Sequence, residues 1–291
     1  MIIEAKRLAS SGQLVEAGSL VQAAVHELAQ TPGDSEQRRA ATELLLDLLF
    51  REGRDGRMSK VFRQYVADCS PYRDPEFDQL YLAGVLATRT SPVPLRRRDR
   101  FLLLVRQFER TLELDGLVAE CGCFRGLSSH ILCSRLKRRN SGFDGRGYRI
   151  FDSFRGLSEP QDEDALSAEA EPSAPHVQDV RAGRFSASLE DVRHALALFP
   201  GIAYFPGWIP SAFPPNAEER YRFVHIDVDL YQPTKDSLEY FWPRLVPGAL
   251  MVCDDYNWPG GKRAVEAFCA AHGLRAQVTA SRQAVMERRA V

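Results

Sequence analysis

The chain has 291 residues, is 44% hydrophobic and 26% charged, and carries a formal net charge of −1. That composition suits a globular protein of one large or two small domains with a sizeable core. The near-zero charge excludes a global basic field of the kind that draws a protein to nucleic acid or to an anionic membrane. Cys69, Cys121, Cys123, Cys133, Cys253 and Cys269 show no framework spacing and read as small buried thiols in a reducing compartment. The start, MIIEAKRLASSGQ, lacks an apolar signal core, and no run approaches the ~18 apolar residues of a spanning helix. A cytoplasmic protein is the expectation.

Residues 1–95 have a helical period. Leu8, Val15, Leu20, Ala24 and Leu28 fall on one face, with Gly12 separating two helices and Pro32-Gly33 ending the pair. A second pair follows, Ala41–Phe50 and Met58–Cys69, separated at Glu52-Gly53. The first pair has the small-residue rhythm of a tetratricopeptide-like hairpin, but a single copy does not make an array, because such repeats need neighbours to bury their faces. The region reads as a helical cap on the main domain or on a second subunit, so a monomer and a homo-oligomer both stay open. Pro71 to Pro75 and Thr88 to Pro94 read as linkers, and Arg96-Arg97-Arg98-Asp99-Arg100 as a solvated charged face rather than an anion site.

From residue 96 the pattern alternates between strand and helix. After a helix at Arg100–Leu112, Leu117–Cys121 is a short apolar strand, Gly122 to Gly126 a turn, and Leu127–Leu136 an amphipathic helix. Glycines let backbone amides approach a ligand, and the helix start behind them favours negative charge. The spacing Glu120-x-Gly122-x-x-x-Gly126 is not the G-x-G-x-x-G of a dinucleotide site, which disfavours a nicotinamide oxidoreductase. Glu120 is either an acceptor for a cationic ligand group such as an amine or half of a structural salt bridge. The strand Tyr148–Phe151 ends in Asp152, placed to accept the two ribose hydroxyls of a nucleoside. Residues 158–185, rich in Glu, Asp, Pro, Ser and Ala, read as a lid or disordered insertion, with His176 either an idle surface residue or a catalytic contact. Ser188 N-caps a helix to Leu198. Ile202–Phe205 is the third strand, and Pro206-Gly207-Trp208 puts an indole at the strand edge, to line a flat ring's pocket or to fill the core.

The stretch Arg222 to Tyr256 is a strand–helix–strand unit. Phe223–Val228 ends at Asp227 and Asp229, a helix spans about Pro233 to Leu245 and stops at Pro247-Gly248, and Ala249–Cys253 ends at Asp254 and Asp255. Such crossovers are parallel and right-handed, so both acidic clusters lie at the carboxyl ends of neighbouring strands, where open α/β sheets bind ligands. Carboxylates converging there repel one another unless a cation sits between them, which points to a divalent metal; the plainer alternative is that each merely caps a helix or turn. Ala276–Thr279 and Gln283–Glu287 complete a seven-stranded, mostly parallel α/β sheet with helices on both faces.

AECGCFRG, FDSFRGL, PGW, HIDVDLYQPT and CDDY, in that order, resemble the macrocin O-methyltransferase family over about residues 100 to 290. The resemblance implies a Rossmann-like class I methyltransferase domain at 96–291. It further implies an S-adenosylmethionine- and magnesium-dependent enzyme that methylates a hydroxyl of a sugar on a small-molecule acceptor. By that resemblance Glu120, Gly122, Cys123, Arg125, Gly126, Ser128 and Ser129 hold the methionine portion of the cofactor. Asp152 and Ser153 take the ribose, and Ser188 and Trp208 the adenine end. Asp227, Asp254 and Asp255 hold the magnesium, with Asp227 also facing cofactor and substrate and Asp229 in support. Two positions depart from the family's pattern: Leu127 follows Gly126 where a second glycine is common, and Val228 stands between Asp227 and Asp229 where glycine is common. Catechol-type methyltransferases place a lysine where Leu230 stands here, which leaves the general base to His176, Asp229 or a metal ligand. A catechol-type enzyme, or a non-catalytic interaction protein of the same fold, are the competing readings.

Overall fold

The computed structural model describes residues 1–30, 35–165, 180–215 and 218–289. The chain divides into two compact units, Met1–Leu102 and Leu103–Val291. His176 and Pro32-Gly33 lie outside the described residues.

The first unit is helical: α1 (Ile2–Ser10), α2 (Leu14–Gln30), α3 (Ser35–Arg51), α4 (Asp55–Cys69), α5 (Pro75–Thr88) and the start of α6 (Leu95–Glu109). Each of the first four packs on the next. The buried stripe of α2 is Ala17, Val21 and Ala24, whereas Val15 is 57% exposed. The expected face is therefore shifted, because the turn at Gly12 restarts the helical phase. α5 begins where a cap would put it: Asp74 accepts the Phe77 N–H at 2.9 Å and Pro75 opens the first turn.

The arginine run is not a solvated face throughout. Arg98 is fully buried, paired with Asp78 at 2.6 Å and Asp99 at 2.8 Å, and it donates to the Tyr72 carbonyl at 2.8 Å. A guanidinium is tolerated there because its fork is matched by carboxylates and a carbonyl, with the Phe77 ring 5.2 Å away.

The second unit holds β1 (Leu117–Cys121), β2 (Tyr148–Asp152), β3 (Ala203–Pro206), β4 (Tyr221–Ile226), β5 (Leu245–Cys253), β6 (Gln277–Val278) and β7 (Ala284–Glu287), in the order β3-β2-β1-β4-β5-β7-β6. The first five pair in parallel; β7 runs antiparallel to β5, and β6 to β7. The strand order reverses between β1 and β4, and the crevice at such a reversal is the binding edge of open α/β sheets.

Alternation assigns the two faces. Ala119, Cys121, Val224, Ile226, Met251 and Cys253 join a core with Leu238 and Phe241 of α9 (Tyr231–Phe241) and Val265 and Phe268 of α10 (Pro259–His272). Val118, Phe223, Leu250 and Val252 face the other way and are equally buried. Pro247-Gly248 does not stop the helix: α9 ends at Phe241, a 3-10 turn follows at Trp242–Arg244, and β5 runs through the pair, with Gly248 at φ 83°. All six cysteines are free, and five are buried.

Candidate active site

At the carboxyl edge, the sheet's hydrogen bonding runs one residue beyond its strands: the Gly122 N–H donates to Phe151 O (2.9 Å), Asp227 N–H to Cys121 O (2.8 Å) and Asp254 N–H to Ile226 O (2.8 Å). This ladder brings the β1 turn and both acidic loops together. Gly122 has φ 80°, and a Cβ there would stand 1.9 Å from the Asp227 carbonyl oxygen. Only glycine allows the two backbones to meet at that distance.

Beneath the edge lies a sealed polar network. Glu120 and His225 are register partners on β1 and β4, so their side chains rise from the same face. Both are fully buried. Glu120 Oε1 meets His225 Nδ1 at 3.0 Å, and Oε2 accepts from Tyr148 Oη at 2.9 Å and from Ser129 Oγ. On its other side, His225 Nε2 lies 3.6 Å from Asp254 Oδ1, which also accepts from Gln283 Nε2 at 2.7 Å. Burial opposes the charge on His225, but hydrogen bonds and charge from Asp254 and Glu120 outweigh it and push the imidazole up to about 10. Glu120 and Ser129, which the resemblance assigns to the methionine portion of the cofactor, are both buried and hydrogen-bonded to each other.

The acidic cluster sits on this network. Asp254 is fully buried and Asp255 nearly so, whereas Asp227 and Asp229 are partly exposed. Burial, followed by the charges of Asp229, Asp227 and Asp254, drives the Asp255 carboxyl well above the usual carboxylate range; the Asp229 N–H, donating to Asp255 Oδ2 at 2.8 Å, opposes this. Asp229 takes φ 60°, an uncommon backbone state for a residue with a side chain. One donor atom each from His225, Asp227 and Asp254 lie within 4.8 Å of one another. His225 is engaged on both sides, by Glu120 and Asp254, and the oxygens of the aspartates are the donors that suit a hard cation.

The β1 turn and the end of β2 form a second group. Asp152 Oδ2 accepts the Cys123 and Phe124 amides at 2.7 and 3.2 Å, and Oδ1 the Phe154 amide at 2.7 Å, which binds the glycine turn to the end of β2. Ser153 Oγ donates to Gly156 O at 2.7 Å, and Trp208 Nε1 donates to the same carbonyl at 3.3 Å. The Trp208 indole is 44% exposed, an edge residue and not core. Gly126 opens α7 (Leu127–Arg139) at φ 84°, Ser128 is buried in its first turn, and exposed Arg125 stacks over Phe124. Ser188 does what its N-cap reading requires, accepting the Asp191 amide at 3.0 Å at the start of α8 (Leu189–Ala195). That cap occupies its hydroxyl, which also donates to Asp191 Oδ2 at 2.7 Å.

His225, Tyr148 and Gln283 were not singled out from the sequence. The signal for His225 was present: an ionisable residue facing inward in an apolar strand, with Glu120 in the neighbouring one. Gln283 carried no local signal, since its role depends on β7 lying beside β5.

The profile of the Macrocin-O-methyltransferase (TylF) family matches residues 95–288. Among curated proteins, the 8-demethyl-8-(2,3-dimethoxy-alpha-L-rhamnosyl)-tetracenomycin-C 4'-O-methyltransferase of Streptomyces olivaceus is 27% identical over 240 residues, covering 80% of this chain and 84% of that protein. The mycinamicin III 3''-O-methyltransferase of Micromonospora griseorubida is 29% identical over 183 residues, covering 60% and 69%. The solved O-methyltransferase NovP shares the fold at TM-score 0.54 and 20% identity, covering 81% of this chain and all of that one. The calicheamicin methyltransferase CalS11 does so at TM-score 0.54 and 19% identity, covering 74% and 94%. With the sheet order, the glycine turn and both acidic loops inside the matched span, the chain belongs to the macrocin O-methyltransferase family and has the class I methyltransferase fold.

Proposed function

We propose that this enzyme transfers the methyl group of S-adenosylmethionine to a sugar hydroxyl of a glycosylated small molecule, with magnesium held by Asp227, Asp254 and Asp255. The observation that carries this reading is the carboxylate cluster, with Asp255 driven upward by burial and then by the charges of its neighbours, beside the glycine turn at the strand-order reversal. The relatives named for methylation of a rhamnosyl group and of mycinamicin III support a sugar acceptor.

A bound divalent cation lowers the pKa of a hydroxyl and orients it. The chain does the rest. The glycine turn and the Asp152 loop are suited to holding the cofactor by backbone amides and ribose contacts, and the edge-exposed Trp208 to covering its flat ring. Asp227 and Asp229, the two partly exposed carboxylates, are placed to take the hydroxyl proton, with His176 a further candidate. Fixing nucleophile and methyl donor in line is worth as much as ~7–11 kcal/mol, and no covalent enzyme intermediate is needed. The described residues contain no helix long and apolar enough to cross a membrane.

Incubating the protein with methyl-labelled cofactor and a panel of deoxysugar-bearing acceptors tests this directly. Label should reach a sugar oxygen and should stop when a chelator is added. Transfer that survives exhaustive chelation would defeat the metal assignment, and transfer confined to catechols would defeat the sugar assignment.

A further inference from the structure

α9 begins directly behind the loop that carries Asp227 and Asp229, yet its N-cap residue, Leu230, provides no side-chain cap. A helix start leaves amides without intrahelical partners, and a carboxylate there is favourable both as acceptor and against the helix dipole. Here the carboxylate comes from 67 residues upstream: Asp164 Oδ1 accepts the Tyr231 N–H at 2.6 Å. Its other oxygen, Oδ2, accepts the Gln161 N–H at 2.9 Å, which secures the short 3-10 turn Asp162–Asp164 that carries it.

The same carboxylate also fits the second acidic loop. α10 starts at Pro259, just after Asp254 to Trp258, and Gly260 lies under Asp164. A Cβ on Gly260 would stand 2.1 Å from Asp164 Oδ1 and 2.7 Å from Tyr231 N. Gly260 has no positive φ to explain it, so the close approach of Asp164 and Tyr231 is what requires glycine. Arg263, one turn further along α10, donates to the Glu163 carbonyl and holds the turn from the other side.

We infer that Asp164 is a positioning residue for the divalent cation: one carboxylate, seated between the starts of α9 and α10, sets the spacing of the two loops whose aspartates hold the ion. The inference rests on the metal reading proposed above and adds to it a residue whose two carboxylate oxygens are bonded to the Tyr231 and Gln161 amides. Groups that orient metal ligands without binding the metal typically change affinity by about 10- to 100-fold when removed.

The test combines amide hydrogen exchange at Tyr231 with titration of Mn2+, read by its paramagnetic signal, on wild type, Asp164→Ala, Asp164→Asn and Gly260→Ala. Asp164→Ala should speed Tyr231 exchange at least tenfold and weaken Mn2+ binding about tenfold. Asp164→Asn keeps an acceptor oxygen and should stay near wild type in both. Gly260→Ala should reproduce the Asp164→Ala result with every carboxylate intact. Unchanged Tyr231 exchange in Asp164→Ala would overturn the cap, and faster exchange with unchanged Mn2+ affinity would overturn the positioning role. A wild-type protein that binds no Mn2+ would defeat the metal reading and the positioning role with it, while Tyr231 exchange would still decide whether Asp164 caps α9.

Discussion

Gly122→Ala should abolish binding of S-adenosylhomocysteine and of the cation together. The added methyl would stand 1.9 Å from the Asp227 carbonyl oxygen and 2.8 Å from its carbonyl carbon, which are backbone atoms and cannot swing aside. The φ of 80° adds strain for a residue with a side chain. Separating the β1 turn from the β4 loop displaces the turn amides and Asp227 in one movement. A misplacement of about 1 Å can cost about 100-fold in function, and the overpacking with its strain should remove about 3 kcal/mol or more of stability. Gly126→Ala is the contrast: its φ is 84°, but the nearest neighbour, at 3.3 Å, is a side-chain methyl of Leu196 and not backbone. It should cost about 1 kcal/mol and leave the cation site intact. Thermal melts and calorimetry on the two variants check this, and equal damage from both would contradict the account.

The second large effect is expected at Glu120. Its replacement by alanine leaves a protonated imidazole facing Asp254 alone and strips the Tyr148 and Ser129 hydroxyls of their acceptor, in a region without solvent. Breaking a buried pair in this way costs about 3–5 kcal/mol. Glu120→Gln keeps an oxygen for the two hydroxyls and should lose less. The pH dependence has a definite sign. In the metal-free fold His225 titrates at about 10, against 6.5 when unfolded, so the folded state holds its proton more tightly. The stabilisation from this network is whole below pH 6.5 and is lost as pH rises toward 10. In Glu120→Gln one of the two carboxylates is gone, so the alkaline loss should still begin near pH 6.5 but be smaller and be complete at lower pH. Chemical denaturation in chelator between pH 6 and 10 reads this out, and parallel curves for the variant and wild type would contradict it.

The alternation of apolar strands and helical segments made the seven-stranded sheet legible, and the two Asp-tipped strands showed where its binding edge lies. Boundaries were less legible where one residue type serves two roles. Pro247-Gly248 reads as a helix stop, but here it is an irregularity inside β5, which the register shift of the β4–β5 pairing reveals. Glu120 reads as a ligand contact because it ends a strand before a glycine turn. Its partners, Tyr148 and His225, lie 28 and 105 residues away, so its burial was not visible from local pattern. The same holds for Arg98, whose charged run disguised a residue enclosed by Asp78 and Asp99, and for Asp164, whose partner is the backbone of a distant helix. Aspartates that cluster by strand register were found; polar residues joined by tertiary packing alone were not.

The central claim is that the acidic cluster is a cation site and not a set of caps. The most direct measurement is the melting temperature of wild type and Asp255→Asn, each in chelator and in magnesium. Asparagine keeps an acceptor for the Asp229 amide but removes an ionisable group that burial, followed by the charges of three neighbours, drives upward. The account predicts that magnesium raises the wild-type melting temperature, by about 2.7 kcal/mol of stability at a hundredfold excess over Kd, and does nothing for the variant. In chelator the variant should be at least as stable as wild type. A variant that is less stable in chelator, and that magnesium stabilises as much as wild type, would show that the aspartates are structural and that no cation belongs between them.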